Sequence, residues 1–413
     1  MTAASFGVLA ALAWRNVWRN RRRSGITILS IACGLAAILF GQSLSKTIQY
    51  QMIQKATAVF TGHVQILHRD VKDMKFPEEL IEDPDAAARA IEGVANIAAY
   101  QRRLAITGLA SSKTESAGIL IVGVEPEKDR HIFSMHTYLI AGAALSTAAP
   151  NGIYLGDKLA AQLKLGVGGE VVLMASAIDG SMGAELTRIA GIYRSNSHTF
   201  DKTIAYVPLE TAQRLLAADD RVNSFVFKLK DYRQLRRTQA ALAQALRDQP
   251  LQVVTWEEVD AELVGIREYQ DALMDIVLLV VFLIVALGIL NTLLMSMFER
   301  VREFGVLMAI GARPAVIRRM IILEACMMGA LGSLLGLALG AGLILYYRAT
   351  GLALPIGDSI GFFMPFESVL YLRFVWPKHL VALAVVLVTS VISSLPPALR
   401  ASRLRPAESL RHL

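Results

Sequence analysis

The residues most suited to binding another molecule lie in a short segment between two apolar runs. Charged and apolar side chains alternate there at helical spacing, which predicts an amphipathic helix. A connection between two membrane spans needs only a few polar residues, so an apolar face indicates a surface that covers it. That surface is either the lipid headgroup layer or a groove on a partner protein. The charged and apolar residues of the segment are Glu299, Arg300, Arg302, Glu303, Phe298, Val301, Phe304, Val306, Leu307 and Ile310.

Several residue patterns typical of catalysis are absent from the sequence. No Gly-Lys dipeptide occurs, so the chain has no phosphate-binding loop of the GxxxxGK[ST] type. An HEXXH motif and clusters of Cys and His are missing as well, and His131 and His136 do not have the spacing of a helical metal-binding pair. We therefore expect a protein that is not an enzyme and that binds no metal or cofactor itself.

The composition assigns part of the chain to lipid. Of its 413 residues, 54% are hydrophobic and 19% are charged, and the mean hydropathy is +0.45. Soluble domains are usually less apolar and more charged. Cys33 and Cys326 both lie in apolar runs, so no disulfide framework is expected in the soluble part. The net charge of +7 comes from arginines beside apolar runs, which indicates positive-inside topology and not nucleic-acid binding.

Four apolar runs predict four membrane-spanning helices, at residues 24–45, 271–298, 320–347 and 380–399, the last ending at Pro396-Pro397. Residues 1–23 predict an amphipathic helix on the inner leaflet, with Trp14 and Trp18 at the interface. A plain signal anchor is the alternative and has the same topology. The basic residues place both termini, the connection 299–319 and the tail 400–413 in the cytoplasm. The loop 348–379, with Pro355 and Pro365, then lies outside.

Small residues mark the third span as a helix-packing element. Gly332, Gly336 and Gly340 follow one another at intervals of four and form a face that permits close helix contact. Glu324 lies one turn inside the predicted start of this span, where an ionisable side chain is costly but tolerated. Asn291 in the second span is interpreted either as a polar contact between helices or as a substrate contact.

Residues 46–270 predict a large α+β domain inserted between the first two spans. Six segments have strand composition and four have helical patterns. The predicted strands are His63–Leu67, Gly118–Val124, Gly169–Ser176, Thr187–Arg194, Thr203–Pro208 and Ser224–Lys230, and the predicted helices are Asp83–Ile91, Asp157–Leu163, Leu209–Ala217 and Tyr232–Leu246.

The string ERVREFGVLMAIGARPAVIRRM resembles the coupling helix of FtsX-like, MacB-type ABC permeases of the type VII class. Segments of the outer domain, among them GILIVGVEP and FDKTIAYVPLETAQRL, also resemble that family. The sequence departs from the family pattern at Met308, where a basic residue is frequent. The positions that match the coupling-helix pattern are Glu299, Glu303, Gly305, Leu307, Ala309, Gly311 and Ala312.

This resemblance implies a permease subunit in the bacterial inner membrane, with its large domain in the periplasm. A dimer of ABC ATPase subunits, which would hold the ATP and Mg²⁺, is expected to bind the segment Glu299–Ala312, including Arg300, Arg302 and Phe304. A second permease subunit, identical or a paralogue, completes the transporter. ATP-driven closure would push the coupling helix and, through the first two spans, the outer domain.

Within this family the lipoprotein-releasing (Lol) permeases are the nearest match, and the absence of a fused ATPase favours them. The resemblance implies that a lipoprotein enters between the first two spans of opposite subunits and passes to a periplasmic carrier or adaptor. Alternatives are MacB-type efflux of peptides, macrolides or other amphiphiles, and an FtsX-like signalling permease that regulates cell-wall enzymes. The expected residues of the substrate cavity are Leu35, Leu39, Val277, Leu287 and Asn291.

A predicted hairpin at residues 175–185 has two interpretations. In lipoprotein-releasing permeases a loop near this place forms a hook for the soluble carrier, but an ordinary hairpin tip fits the sequence equally well. The candidate hook residues are Ile178, Asp179, Gly180, Ser181 and Met182.

Overall fold

A computed structural model describes residues 3–133, 135–195, 197–353 and 369–404. Pro355 and Pro365 of the predicted outer loop, and most of the predicted tail, lie outside the described residues. The chain forms two compact units. The helical unit is drawn from Met1–Ile48, Glu268–Ala353 and Val369–Leu413, and the sheet unit from Gln49–Arg267.

Long helices dominate the helical unit, and short ones accompany the sheet. In chain order the described α-helices are α1 (Ala3–Arg19), α2 (Arg21–Ala56), α3 (Pro84–Ile91), α4 (Pro126–Ile132), α5 (Asp157–Leu163), α6 (His198–Thr203), α7 (Leu209–Leu216), α8 (Leu235–Ala245), α9 (Trp256–Val259), α10 (Ala261–Glu299), α11 (Val301–Ala309), α12 (Pro314–Thr350) and α13 (Trp376–Ser402). A π turn, Thr57–Thr61, follows α2, and two 3₁₀ turns lie at Met135–Tyr138 and Tyr232–Gln234.

One mixed sheet of ten strands forms the centre of the sheet unit. The described strands are β1 (Val64–His68), β2 (Ile97–Ser111), β3 (Ser116–Val124), β4 (Leu139–Gly142), β5 (Gly152–Gly156), β6 (Glu170–Ser176), β7 (Met182–Tyr193), β8 (Ile204–Pro208), β9 (Ser224–Leu229), β10 (Leu251–Thr255), β11 (Leu352–Ala353) and β12 (Val369–Leu370). Along the sheet the order is β10-β1-β9-β2-β3-β8-β5-β7-β4, with β6 paired to β2 and β7, and the β3–β8 and β5–β7 pairs are parallel. A separate two-stranded ladder pairs β11 with β12.

All six predicted strands are present, but the longest strand of the sheet was not predicted. The fifteen residues of β2 pair with β3, β6 and β9. Its sequence contains two arginines and Gly108, which lower its strand propensity. Arg103 nevertheless lies buried between the rings of Phe60 and Phe133, and it donates to the Phe60 carbonyl at 2.5 Å. Tertiary contacts therefore override the local preference.

The glycine face predicted in the third span packs directly on the first span. A Cβ atom at Gly336 would lie 2.8 Å from the Ala32 carbonyl oxygen, and one at Gly332 would lie 2.6 Å from the Ile31 Cβ. Such distances mean that the α2 and α12 backbones are in contact. On its other side α2 meets α10, where the Thr27 and Thr292 hydroxyls share a buried hydrogen bond of 2.7 Å. The first span is thus held by two neighbours.

Several helix boundaries differ from the predicted ones, and two of these differences lie at prolines. α12 begins at Pro314, so the last residues of the predicted connection 299–319 already belong to this helix. α13 does not end at Pro396-Pro397 but continues through both prolines to Ser402. Membrane helices tolerate proline when nearby hydroxyl groups satisfy the freed carbonyls. The two prolines remove the amide donors to the Ile392 and Ser393 carbonyls, and the helix nevertheless continues to Ser402.

A buried carboxyl in the sheet unit makes its stability depend on pH. Asp201 is 1% exposed, and its Oδ1 accepts hydrogen bonds from the Ser195 hydroxyl at 2.6 Å and the Ser195 amide at 2.9 Å. Burial raises the pKa of the Asp201 carboxyl, and the two bonds from Ser195 oppose this rise. The folded protein therefore binds this proton more tightly than the unfolded chain does.

We expect the substitution Asp201→Asn to become more favourable relative to wild type as the pH rises. Because the folded pKa is the higher one, the carboxyl contributes its full stability below the unfolded pKa of about 3.9 and loses it through the folded pKa. Asparagine keeps an acceptor oxygen and has no charge to bury. Urea midpoints, followed by Trp256 fluorescence with Trp14, Trp18 and Trp376 replaced by phenylalanine, measure the difference. A difference that stays constant with pH would contradict the assignment.

Candidate functional site

The predicted coupling segment forms a short helix with a defined start and end. α10 stops at Glu299, and Arg300 adopts φ −118° and ψ 15°, which redirects the chain into α11. Gly311 closes α11 with φ +95°, a conformation that favours glycine at a helix end. The Ala312 amide donates to the Leu307 carbonyl at 2.9 Å. Pro314 then occupies the first turn of α12, where its missing N–H has no consequence.

Buried side chains fix α11 to the body of the helical unit. Phe304 is fully buried in the core cluster that also contains Val17, Met297 and Ile317, and Gly305 is buried beside it. Arg300 is also buried, with its guanidinium carbon 5.0 Å from the centre of the Phe304 ring. Three of the predicted coupling residues therefore hold α11 in place and present no surface to a partner.

The predicted acidic residues of the segment pair with arginines of the same chain. Glu299 accepts from Arg23 at 2.6 and 3.1 Å, and Glu303 accepts from Arg19 at 2.7 Å. These four side chains are between 27% and 51% exposed, so each pair adds little to stability. Their effect is local: they orient the ends of α1 and α2 around the start of α11.

The rest of the predicted coupling segment forms an exposed surface. Arg302, Leu307, Ala309 and Gly311 are exposed, and Ala312 is half-buried. Val306 and Ile310 extend the same surface, and Ile310 is 76% exposed. We call the exposed residues Arg302, Val306, Leu307, Ala309, Ile310 and Gly311 the α11 surface. It is mostly apolar, carries one cation, and is held rigid from behind by Phe304.

The sequence analysis singled out Arg300 and Glu324 separately but did not predict the buried contact that joins them to Asn16. Arg300 Nη1 donates to Glu324 Oε1 of α12 at 2.8 Å, and Asn16 Nδ2 of α1 donates to the same oxygen at 2.7 Å. The sequence indicated part of this contact, because an ionisable residue such as Glu324 inside a span requires a polar partner. The partner itself could not be named, since Asn16 lies 308 residues away from Glu324.

The five residues predicted for a substrate cavity do not lie on one surface. Leu35 and Leu39 are buried against the glycine face, with Leu35 Cβ 2.9 Å from a Cβ atom built at Gly336. Val277, Leu287 and Asn291 are exposed on α10. In this conformation the two leucines therefore act in helix packing, because the close approach at glycine leaves no space beside them. A cavity role remains a prediction for the three α10 residues.

The predicted hook is a tight turn, Ala177–Ser181, between β6 and β7. Gly180 has φ +82°, and the Asp179 carboxylate accepts from the Ser181 hydroxyl at 2.6 Å. This bond and the bond from the Ser181 amide lower the pKa of the exposed Asp179 carboxyl. The Ile178 amide donates to the Leu216 carbonyl at 3.1 Å, which attaches the turn to α7. Ile178 and Met182 remain 45% and 73% exposed.

Two family profiles match this chain. The profile of the MacB-like periplasmic core domain matches residues 24–245, more than half of the chain, and the profile of the FtsX-like permease C-terminal domain matches residues 276–406. The periplasmic region of MacB from Actinobacillus actinomycetemcomitans aligns with 52% of this chain and 97% of its own, at 11% identity and a TM-score of 0.36.

Two groups of relatives differ in how much of their own length is matched. The macrolide export ATP-binding/permease protein MacB 2 of Yersinia pestis bv. Antiqua (strain Antiqua) is 23% identical over 79% of this chain, which spans only 49% of that relative. The lipoprotein-releasing system transmembrane protein LolC of Xylella fastidiosa (strain 9a5c) is 23% identical over 95% of this chain and 96% of its own length. Within the described part of the chain, four helices are long and apolar enough to cross a membrane. The chain belongs to the FtsX-like ABC transporter permeases that carry a MacB-like periplasmic core domain.

Proposed function

We propose that this chain is the permease subunit of an ATP-driven transporter that extracts lipoproteins from the inner membrane and releases them to a periplasmic carrier. The coupling to an ATPase rests on the α11 surface, an exposed apolar patch on a helix whose opposite side is fixed by Phe304. The choice of lipoprotein as substrate rests on the match to the LolC relative, which extends over 96% of that relative's length. A rigid apolar helix face fits a groove on a partner protein. We assign that groove to an ABC ATPase subunit, which would hold the ATP and Mg²⁺ in the cytoplasm.

Two helices connect the site of ATPase binding with the sheet unit. α2 has 36 residues and α10 has 39, so each is about 54–58 Å long at about 1.5 Å per residue. The hydrocarbon core of a bilayer is only about 30 Å thick. Both helices therefore continue beyond the lipid without a described break. Force applied at α11 reaches the periplasmic domain along them, and the substrate need not cross the bilayer.

A second permease subunit would cover the surface of α10. Only 11% of the most apolar stretch of α10 is buried within the chain, whereas 50% of the corresponding stretch of α2 is buried. Leu287 and the amide of Asn291 lie on this open side. An amide in a membrane span is stabilised by a polar partner on another helix. We infer that α10 faces an identical or paralogous subunit, with acyl chains of the lipoprotein entering between the two.

A second exposed apolar patch lies on the hairpin of the sheet unit. Val172 of β6 is directly opposite Leu186 of β7, and both side chains are exposed. Leu109 on the neighbouring β2 and Met182 at the end of the turn extend the patch. Contiguous apolar surface of this kind marks sites of protein interaction. We propose that the carrier docks here, with Ile178 and Met182 as its first contacts.

The function is tested by lipoprotein release from proteoliposomes that contain this chain, its co-purified subunits and a triacylated lipoprotein. We expect ATP and a soluble carrier to release the lipoprotein. Met182→Asp should lower release by about tenfold, because a charge in an apolar contact removes a main contributor to binding, without changing ATP hydrolysis. Val167→Asp, an exposed position outside the patch, is the matched control. Release that persists unchanged in Met182→Asp would refute the carrier site.

Efflux is the second candidate function, because the match to the macrolide export proteins covers 79% of this chain. The same proteoliposomes distinguish the two. ATP-dependent movement of a macrolide or an amphiphilic peptide, with no release of lipoprotein, would replace the lipoprotein proposal by efflux.

A further inference from the structure

A buried polar group ties the start of α11 to two other helices. Glu324 Oε1 of α12 accepts from Arg300 Nη1 at 2.8 Å and from Asn16 Nδ2 of α1 at 2.7 Å. The Arg300 and Glu324 side chains are each 5% exposed. Arg300 also donates from Nε to Glu303 at 3.0 Å and lies over the Phe304 ring. We call Asn16, Arg300 and Glu324 the anchor triad.

The position of the anchor triad gives it a mechanical consequence. Along the backbone, α11 is connected to α12 through the turn at Gly311, which has a φ of +95°. Because glycine has no side chain to pack against its neighbours, this turn transmits movement poorly. Arg300 lies instead at the junction of α10 and α11, and Glu324 lies about three turns into α12. The ion pair between them therefore connects α10, α11 and α12 without passing through the turn.

An ion pair is an unusual choice for a purely structural contact at this place. Removing two charges from water carries a desolvation cost, and packed apolar residues often hold helices equally well. A hydrogen-bonded pair requires a defined geometry between donor and acceptor, whereas an apolar contact does not. The two donors approach one carboxylate oxygen from α1 and from the α10–α11 junction, which fixes how these elements are oriented about α12.

We propose that Arg300 and Glu324 are positioning residues that carry the movement of α11 directly into α12, with Asn16 holding the carboxylate and attaching α1. The proposal rests on the proposed ATPase-coupled function. From α12 the movement passes to α2 through the close contacts at Gly332 and Gly336. Without the triad, only apolar packing such as that of Phe304 joins α11 to the helices behind it, and part of the movement is absorbed at Gly311 and at the non-helical backbone of Arg300.

The test measures the distance between α11 and α12 in the full chain bound to its ATPase in nanodiscs. Spin labels are placed at Val301→Cys, a half-buried position of α11 outside the α11 surface, and at the exposed position Leu334→Cys, after Cys33 and Cys326 have been replaced by serine. We expect one narrow distance distribution in the wild type, with and without trapped nucleotide. Glu324→Gln should broaden it, whereas Glu299→Gln, which alters the partly exposed contact with Arg23 and no contact of the triad, should leave it narrow.

A second readout separates coupling from folding. In Glu324→Gln we expect ATPase binding to be unchanged, while lipoprotein released per ATP falls by about tenfold. If Glu324→Gln does not accumulate, the apolar pair Arg300→Met/Glu324→Met replaces it, because such pairs usually fold, and it should show the same loss.

The outcomes distinguish this inference from the function on which it rests. If the wild-type chain binds no ATPase, the proposed function fails and the inference fails with it. If the ATPase binds and Glu324→Gln, or the Met pair in its place, keeps both the narrow distance and the wild-type coupling, only the role of the anchor triad is overturned.

Discussion

Replacing Gly336 by leucine is expected to separate α2 from α12 and to unfold much of the helical unit. At this position even a Cβ atom would lie 2.8 Å from the Ala32 carbonyl oxygen and 3.1 Å from the Ala32 Cα, both of which are backbone atoms that cannot rotate away. Overpacking costs about 1–3 kcal/mol even where side chains can adjust. We expect a loss of about 3 kcal/mol in the free energy of unfolding in mixed micelles, measured from the detergent-induced unfolding midpoint.

Gly342 of the same helix provides the control. No atom lies within 4 Å of a Cβ atom built there, so Gly342→Leu should be tolerated and should even gain helix propensity. Equal stability of the two leucine variants would show that α2 and α12 are not in backbone contact. The transmission of movement from α12 to α2 would then lose its structural basis.

The substitution Ile310→Asp is expected to abolish most binding of the ATPase. Ile310 is 76% exposed at the end of α11, and Leu307, one turn earlier, is exposed beside it. Apolar residues at the centre of an interface contribute about 2 kcal/mol or more, which corresponds to about a 30-fold weaker complex. A buried aspartate would add an unpaired charge. The dissociation constant is measured by titrating the purified ATPase over the detergent-solubilised chain immobilised on a surface.

Two controls accompany this measurement. Ile178→Asp introduces the same charge at an exposed isoleucine of the sheet unit, where the ATPase is not expected to bind. Glu303→Lys should weaken binding far less than Ile310→Asp, because Glu303 is already paired with Arg19 and Arg300. If Glu303→Lys has the larger effect, the acidic residues and not the apolar α11 surface carry the interaction.

The architecture could be predicted from the sequence wherever the pattern is local. Uncharged runs longer than a bilayer identify the spans, and β-branched segments such as Gly118–Val124 identify strands. β2 was missed because Arg102 and Arg103 have little strand propensity, and their partners Asp85 and Phe60 come from other parts of the chain. The end of α13 was misplaced because the tolerance of Pro396 depends on its surroundings in the folded protein.

The candidate site was only partly predictable, for a physical reason. The sequence identifies α11 as an amphipathic helix, but it does not tell which residues face inwards. That choice depends on contacts such as Arg19–Glu303, which joins residues 284 positions apart. The sequence also does not distinguish Leu35 and Leu39 from the lipid-facing apolar residues of a span. Only the position of the α12 glycine face shows that they are buried.

The central claim is that α11 couples this chain to a separate ATPase, and crosslinking in native membranes tests it most directly. A photoactivatable residue placed at Ile310 should capture an ABC ATPase subunit as its main product, and one placed at the buried Phe304 should not. Mass spectrometry of the captured protein identifies it. Capture of lipid alone at Ile310 would show that α11 lies on the membrane surface, and it would contradict the coupling account.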